Sequence, residues 1–251
     1  MSDINVGIQL YTVREHTDDD SFRATLAQLA EMGFQGVEFA WKYGGMEPEE
    51  LAGFLDELGL ACCGMHVQLD ELLDPGHRVY DIALACGSPY VTTSLANRVD
   101  AFESLVPELE NAGRIAADKG LRFTYHNHYQ EFAATVDGQT AQDYLTAHAP
   151  AEWVGLEIDL GWIHKAGLDA MAYWRRHGAR TPQVHLRDYD REHDRVTDVG
   201  AGFLDMRAVA AQGEELGLDW LIFEQDRFPV SPFASCRVCL DRAREAGMLT
   251  S

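Results

Sequence analysis

The feature that most constrains this sequence is a regular alternation of strand-like and helix-like segments along its whole length. Eight short apolar runs each precede a longer segment whose apolar residues recur at helical spacing. Division of the 251 residues by eight gives about 31 residues per pair, the usual size of a βα unit in a parallel sheet. Eight such units most simply close into a (β/α)8 barrel, and we predict one α/β domain over residues 1–251.

The boundaries of these segments follow from turn residues and helix-capping signals. The predicted strands are "VGIQLY", "QGVEFA", "ACCGMHV", "PYVTTS", "LRFTYHNH", "WVGLEID", "QVHLRD" and "WLIFEQD", and the predicted helices span 18–33, 47–59, 75–86, 100–119, 138–148, 168–178, 205–217 and 232–246. An open, doubly wound sheet is the alternative, and it typically carries a glycine-rich phosphate loop after its first strand. That position reads "LYTVREHT", without glycine, which favours the barrel.

The charge balance limits the classes of partner. The chain has 20 Lys and Arg against 41 Asp and Glu, a formal net charge of −21. Such a surface repels nucleic acid and anionic lipid, so we expect neither nucleic-acid nor membrane partners. No apolar run approaches the roughly 20 residues that span a bilayer, and "MSDINVGIQL" lacks a secretory signal. These observations predict a cytoplasmic protein, and association into a homo-oligomer is compatible with the sequence.

The five cysteines predict no disulfide framework. An odd number without a signal peptide is typical of reduced thiols. Cys236 and Cys239 form the only C-x-x-C pair, which by itself suggests a metal or redox site. The pair lies inside the predicted helix 232–246, so we expect buried helical thiols instead.

Polar residues follow the predicted strands at the end where barrel active sites lie. Because alternate strand residues face the interior, "WVGLEID" places Glu157 and Asp159 inside the barrel. The same alternation assigns further polar residues to the interior: Gln9, Tyr11, Glu38, His66, Gln68, Thr124, His126, His128, His185, Arg187, Glu224 and Asp226. A barrel built only for stability would carry Val, Ile and Leu at these positions. Seven strands therefore predict a polar cup.

The mixture of imidazoles and carboxylates in this cup predicts a divalent metal ion. These donors together suit Mn²⁺, Zn²⁺, Co²⁺ or Fe²⁺, whereas Mg²⁺ prefers oxygen ligands and water. Without a cation, the converging acids would repel one another, and some would have to take up protons.

Seven motifs in order resemble one known family. "VGIQLYTVRE", "GFQGVEFA", "YHNHYQEF", "LEIDLGW", "VHLRD", "VGAGFLD" and "FEQD" resemble the sugar phosphate isomerase/epimerase family of xylose isomerase-like TIM barrels. Its relatives include tagatose 3-epimerase, inosose dehydratase and endonuclease IV. The resemblance implies one divalent ion, with Mn²⁺ as the first expectation, held by Asp159, His185 and Glu224. His126 stands where the epimerases have a glutamate ligand, and Glu157 and Glu131 are alternatives for this fourth ligand.

The resemblance also implies an activity. The expected reaction removes the proton beside the carbonyl of a sugar or keto-sugar, giving an enediolate that is reprotonated by an isomerase or epimerase. The expected acid/base residues are His128, Glu157 and Glu224, and the expected substrate contacts are Gln9, Glu38, His66, Trp162 and Arg187. In the epimerases two glutamate ligands also move protons, so a histidine at position 126 favours a branch that resembles inosose dehydratases.

Several alternatives stay open at this point. A dehydratase would lose a β-hydroxyl from the same enediolate, and a non-catalytic barrel would bind a sugar without turnover. A nuclease similar to endonuclease IV would need more histidine ligands and a basic groove, which the net charge opposes. Trp162 suits either a sugar face or a packing contact, and "VGAG" at 199–202 suits either an anion site or a plain turn. Every one of these functions except the nuclease implies a small-molecule carbohydrate as the binding partner.

Overall fold

Eight parallel strands close into one barrel in the computed structural model, which describes residues 4–249. The strands are β1 Asn5–Gln9, β2 Gly36–Ala40, β3 Ala61–His66, β4 Tyr90–Thr93, β5 Arg122–His126, β6 Gly155–Asp159, β7 Gln183–Leu186 and β8 Trp220–Phe223. Each strand pairs with the next along the chain, and β1 pairs with β8 to complete the circle. The predicted (β/α)8 barrel is confirmed.

Eight helices alternate with the strands and cover the outside of the barrel. They are α1 Asp19–Met32, α2 Pro48–Leu58, α3 Arg78–Ala85, α4 Phe102–Asp118, α5 Ala141–His148, α6 Ala170–His177, α7 Met206–Leu216 and α8 Pro232–Glu245. In α1, the fully buried Phe22, Leu26 and Leu29 form the inner stripe. Gly33 ends this helix with φ 107°, a left-handed conformation that glycine adopts without strain.

Short elements lie in the loops. They are the 3-10 helices Leu10–His16, Ala96–Ala101 and Gly178–Arg180, the helices Leu69–Leu72, Gln130–Ala133 and Leu160–Lys165, and the strand pairs Thr135–Val136 with Gln139–Thr140 and Asp188–Asp190 with Arg195–Thr197. All except Gly178–Arg180 follow the carboxyl end of a strand. The extra structure is therefore concentrated at the end of the barrel where active sites form.

The opposite end of the barrel interior is filled by apolar side chains. Trp220 and Ile222 of β8 pack with Cys63 and Tyr90 in a small buried cluster. Gly36 makes room for the indole, because a Cβ at this position would lie 2.8 Å from the Trp220 ring. This apolar cluster closes the end of the barrel interior that lies opposite the carboxyl ends of the strands.

One residue of the predicted polar cup does not face the interior, because its strand ends before it. Gln68 lies beyond β3, is exposed and caps the short helix Leu69–Leu72, so its prediction as an inward residue is wrong. Tyr11 lies in the 3-10 helix after β1 and is 37% exposed, but it lines the pocket at the carboxyl end of the barrel together with other predicted residues. The alternation applies only while the chain remains extended.

The cysteine prediction is confirmed. Cys236 and Cys239 are fully buried in α8, and the structure contains all five cysteines as free thiols. None of the helices within residues 4–249 combines the length and the apolar character needed to cross a membrane.

Candidate metal centre and active site

Four metal-capable side chains converge at the carboxyl end of the barrel. His126 ends β5, Asp159 ends β6, His185 lies in β7, and Glu224 directly follows β8. One donor atom from each lies within 4.8 Å of the other three, and all four residues are buried. Asp159 pairs with His185 in the strand register, which explains part of this proximity. Two imidazoles and two carboxylates form a donor set that fits a divalent transition metal or zinc.

His185 presents its two nitrogens to different carboxylates. Nδ1 lies 2.8 Å from Oε2 of Glu224, within the group of four. Nε2 lies 2.8 Å from Oε2 of Glu38 and 3.2 Å from Oε2 of Glu157. Metal-bound histidines usually hydrogen-bond a carboxylate through the second nitrogen, which fixes the orientation of the ring. Glu38 and Glu157 occupy this supporting position behind His185.

Glu157 lies at the centre of a second group of donors. It shares this group with His66, His126 and His185, whose donor atoms also lie within 4.8 Å of one another. Oε2 of Glu157 is 2.8 Å from Nε2 of His66 and 3.0 Å from Nδ1 of His126, although the latter contact is not aligned as a hydrogen bond. Oε1 is buried and has no hydrogen-bond partner within residues 4–249. Glu157 is thus a buried anion surrounded by three imidazoles.

Mutual charge compensation stabilises this buried network. Burial opposes the charged form of His66, but Glu38 and Glu157 beside it raise its pKa to about 10. Burial would likewise raise the pKa of Glu38, but His66 and His185 reverse this effect and hold that pKa well below its usual value. A carboxylate flanked by positive imidazoles stays ionised even in a low-dielectric interior.

Arg187 joins the metal-capable carboxylates to one another. Its Nε lies 2.8 Å from Oδ2 of Asp159, Nη2 lies 2.6 Å from Oε2 of Glu224, and Nη1 lies 3.1 Å from Oδ1 of Asp226. The guanidinium is 2% exposed, and burial raises the pKa of Asp159 to about 6 despite this contact. Because guanidinium geometry is planar and rigid, these bonds fix the positions of both carboxylates.

His128 lies at the wall of the pocket with a neutral imidazole. Burial lowers its pKa to about 4. Its Nδ1 is 2.9 Å from Oγ of Ser94, and its backbone N–H donates to Oε2 of Glu131 at 3.0 Å. The hydroxyl of Tyr125 donates to the other Glu131 oxygen at 2.8 Å. Glu131 therefore holds the loop that carries His128 and belongs to neither group of metal-capable residues.

An open pocket of about 420 Å³ lies above the centre, within the usual range for small-molecule sites. Of the predicted substrate contacts, Gln9, His66, Trp162 and Arg187 line it. Glu38 does not, and it lies fully buried beneath them. The indole of Trp162 packs against the Arg187 guanidinium at 4.5 Å, and its Nε1 has no partner within residues 4–249. This N–H group is therefore a buried donor without a partner in the wall of the pocket.

The glycines of "VGAG" bind a carboxylate from the chain itself. The backbone N–H groups of Gly200 and Gly202 donate to Oδ2 of Asp188 at 2.8 and 2.9 Å, and Phe203 donates to Oδ1 at 2.8 Å. The segment is thus a turn held by Asp188, and these donors are already used.

Several residues of the site were not predicted from the sequence, among them Gln183, Trp41 and Ser94. Gln183 donates to Oε1 of Glu38 at 3.3 Å and accepts from the Thr124 hydroxyl at 3.0 Å. It shares the inward side of β7 with His185, so strand alternation was sufficient to find it. Trp41 lines the pocket just beyond β2, where alternation no longer applies, and no sequence signal identifies it.

Fold and site together define a (β/α)8 barrel with a metal-capable centre at the carboxyl ends of its strands. The sequence profile of the xylose isomerase-like TIM barrel family matches residues 26–234. The chain belongs to this family, which confirms the resemblance drawn from the motifs.

Individual relatives are distant. The chain is 27% identical over 265 aligned positions to an inosose dehydratase from Lacticaseibacillus casei, with 85% of each protein covered. Among solved structures, a sugar phosphate isomerase/epimerase from Parabacteroides distasonis superposes with a TM-score of 0.81 at 18% identity, covering 98% of this chain and all of that one. The 3-keto-D-glucoside 4-epimerase YcjR from E. coli gives 0.71 at 15% identity, covering 98% of this chain and 100% of that one. These structural matches show the shared fold.

Proposed function

We propose that this protein is a divalent-metal-dependent isomerase or epimerase that removes the proton beside the carbonyl of a sugar or keto-sugar. The convergence of His126, Asp159, His185 and Glu224 beneath an open pocket supports this function. These four residues would hold the ion, with Mn²⁺ preferred and Zn²⁺, Co²⁺, Fe²⁺ or Mg²⁺ as substitutes. When bound, the ion acts as a Lewis acid that polarises the carbonyl and acidifies the neighbouring C–H group.

The chain's own groups supply the proton transfer. His128 is neutral, and its Nδ1 contacts the Ser94 hydroxyl. In the tautomer whose Nδ1–H donates to Ser94, Nε2 is the nitrogen that accepts the proton. Return of this proton to the former carbonyl carbon, with the hydroxyl proton passing from one oxygen to the other, gives an isomer. Protonation of the original carbon on its opposite face by a second group, while His128 keeps the proton that it removed, gives an epimer. Glu224 is our candidate for the second group because it lines the pocket. Glu157 does not line it, and we assign Glu157 to orienting His66 and His185.

Dehydration of a keto-cyclitol or 3-keto sugar is the second candidate, because the L. casei relative is an inosose dehydratase. Its first step is the same proton transfer to His128. The C–O bond of the β-hydroxyl then breaks, a C=C bond forms, and the protonated imidazole gives its proton to the departing oxygen, which leaves as water. One acid/base residue suffices for this sequence, whereas epimerisation needs two.

Incubation with Mn²⁺ in D₂O, with ketoses, 3-keto sugars and keto-inositols as substrates, tests both candidates. Deuterium uptake without loss of water supports the isomerase or epimerase, and a dehydrated product supports the lyase. Tight sugar binding without either change would identify a non-catalytic barrel. Asp159→Asn should lower the metal content measured by elemental analysis, while Arg175→Ala on the outer helix α6 serves as a control. Wild-type protein without metal and without turnover would refute the proposal.

A further inference from the structure

A second cavity adjoins the pocket above the metal-capable centre. It has a volume of about 260 Å³ and lies between the loop after β2, the short helix Leu69–Leu72 and the start of α3. Tyr43, Glu71, His77 and Arg78 line it, together with Trp41. Trp41 also lines the first pocket, so its side chain forms a wall common to both. The two cavities therefore adjoin at Trp41.

Trp41 is held in an unusual conformation at this boundary. Its φ is 59°, in the left-handed region, which costs a residue with a side chain roughly 1–2 kcal/mol. The side chain is 46% exposed, and its ring lies edge-on to Tyr11 at 6.2 Å and to His66 at 6.4 Å. Strained backbone of this kind is concentrated at ligand sites, where the surrounding structure maintains it. The exposed indole is therefore placed for contact with a ligand rather than for core packing.

The chemistry of the second cavity suits a neutral polyhydroxylated ring. The Tyr43 ring packs against the Phe39 ring, with the centroids 5.6 Å apart, and Tyr43 lines the cavity. Burial and the nearby Glu71 raise the pKa of Tyr43, so the hydroxyl remains a donor. Arg78 and Glu71 contribute opposite charges to the same cavity. Mixed charges argue against a strongly charged ligand, and aromatic faces with a few polar groups are typical of small-molecule recognition.

We infer that the substrate is a glycoside whose reacting keto-sugar ring occupies the pocket above the metal-capable centre and whose second sugar ring crosses Trp41 into the cavity lined by Tyr43 and Arg78. The identity of the reacting ring rests on the proposed function, whereas the extended site rests on the two cavities and the wall between them. His66 links the parts, since it lies next to Trp41 and also contacts Glu157 at 2.8 Å.

Binding of 3-ketocellobiose and 3-keto-D-glucose, measured by calorimetry on the metal-loaded protein, tests this inference. The disaccharide should bind roughly tenfold more tightly, the gain expected from a few stacking and hydrogen-bonding contacts. Tyr43→Phe and Arg78→Ala should each reduce this preference about threefold or more. Arg175→Ala is the matched control, because both arginines are exposed and each pairs with one glutamate, at 3.2 Å for Arg78 and 3.4 Å for Arg175.

The outcomes separate this inference from the proposed function. The extended site would be overturned if the protein bound both sugars with equal affinity or bound neither. It would also be overturned if Arg78→Ala reduced the affinity for both sugars equally. Deuterium uptake into the monosaccharide together with equal affinities would refute the extended site alone. A disaccharide preference that depends on Tyr43 and Arg78, but without uptake into either sugar, would support the extended site and count against the proposed function.

Discussion

Replacement of Glu131 by glutamine should change how the stability of this protein depends on pH. The Glu131 side chain is fully buried, and burial raises its pKa from 4.5 to about 7. The folded chain therefore retains a proton at pH values where the unfolded chain releases it. The corresponding stability is complete below pH 4.5 and is lost as the pH rises through 7. At about 1.4 kcal/mol per pH unit, this interval corresponds to about 3 kcal/mol.

The comparison of wild type with Glu131→Gln isolates this contribution. Glutamine has nearly the same shape but does not titrate, so any change in its hydrogen bonds to Tyr125 and His128 adds a constant offset. The free energy of unfolding should be measured in urea at intervals from pH 4 to pH 8. Relative to the variant, wild type should lose about 3 kcal/mol across this range.

Tyr125→Phe provides a second, directional test. The hydroxyl of Tyr125 donates to Oε1 of Glu131 at 2.8 Å, and this bond lowers the pKa of the carboxyl. Its removal should move the loss of stability to higher pH. A difference between wild type and Glu131→Gln that stays constant from pH 4 to pH 8 would refute the reasoning, because a carboxyl that titrates equally in both states contributes no pH dependence.

Three further predictions concern the centre, the cleft and the barrel base. His126→Ala should lower the metal content measured by elemental analysis, whereas His128→Ala should keep the metal and lose turnover; the reverse pattern would exchange their roles. Trp41→Gly should leave the melting temperature unchanged or raise it, because glycine accepts φ 59° without strain. The same variant should bind sugar more weakly. A large loss of stability would contradict the assignment of backbone strain to Trp41. Gly36→Ala should lower the free energy of unfolding measured in urea by about 1–3 kcal/mol, because the new Cβ would lie 2.8 Å from an indole ring. Gly53→Ala, which has open space around it in α2, should raise that free energy by about 0.5–1 kcal/mol. Equal effects of the two substitutions would refute the packing argument.

The barrel and the inward side of its strands were predictable from the sequence because burial alternates locally. A parallel strand covered by helices places every second side chain inside, so Asp159 and His185 were assigned to the interior without knowledge of their partners. Helix ends such as Gly33 follow from equally local chemistry. These signals depend on a few neighbouring residues, and the structure agrees with them to within a few residues at each boundary.

The tertiary structure decided how deep each polar side chain lies in the barrel and which other side chains it contacts. Strand alternation cannot separate His126 from His128, because both are assigned to the inward side of β5. In the structure, His126 ends the strand among the metal-capable donors, whereas His128 lies beyond the strand end beside Ser94. Alternation also assigns the same side to Glu38 and Gln9, although one is buried beneath the pocket and the other lines it. Such differences depend on distances across the barrel between residues far apart in sequence, which only closure of the barrel determines.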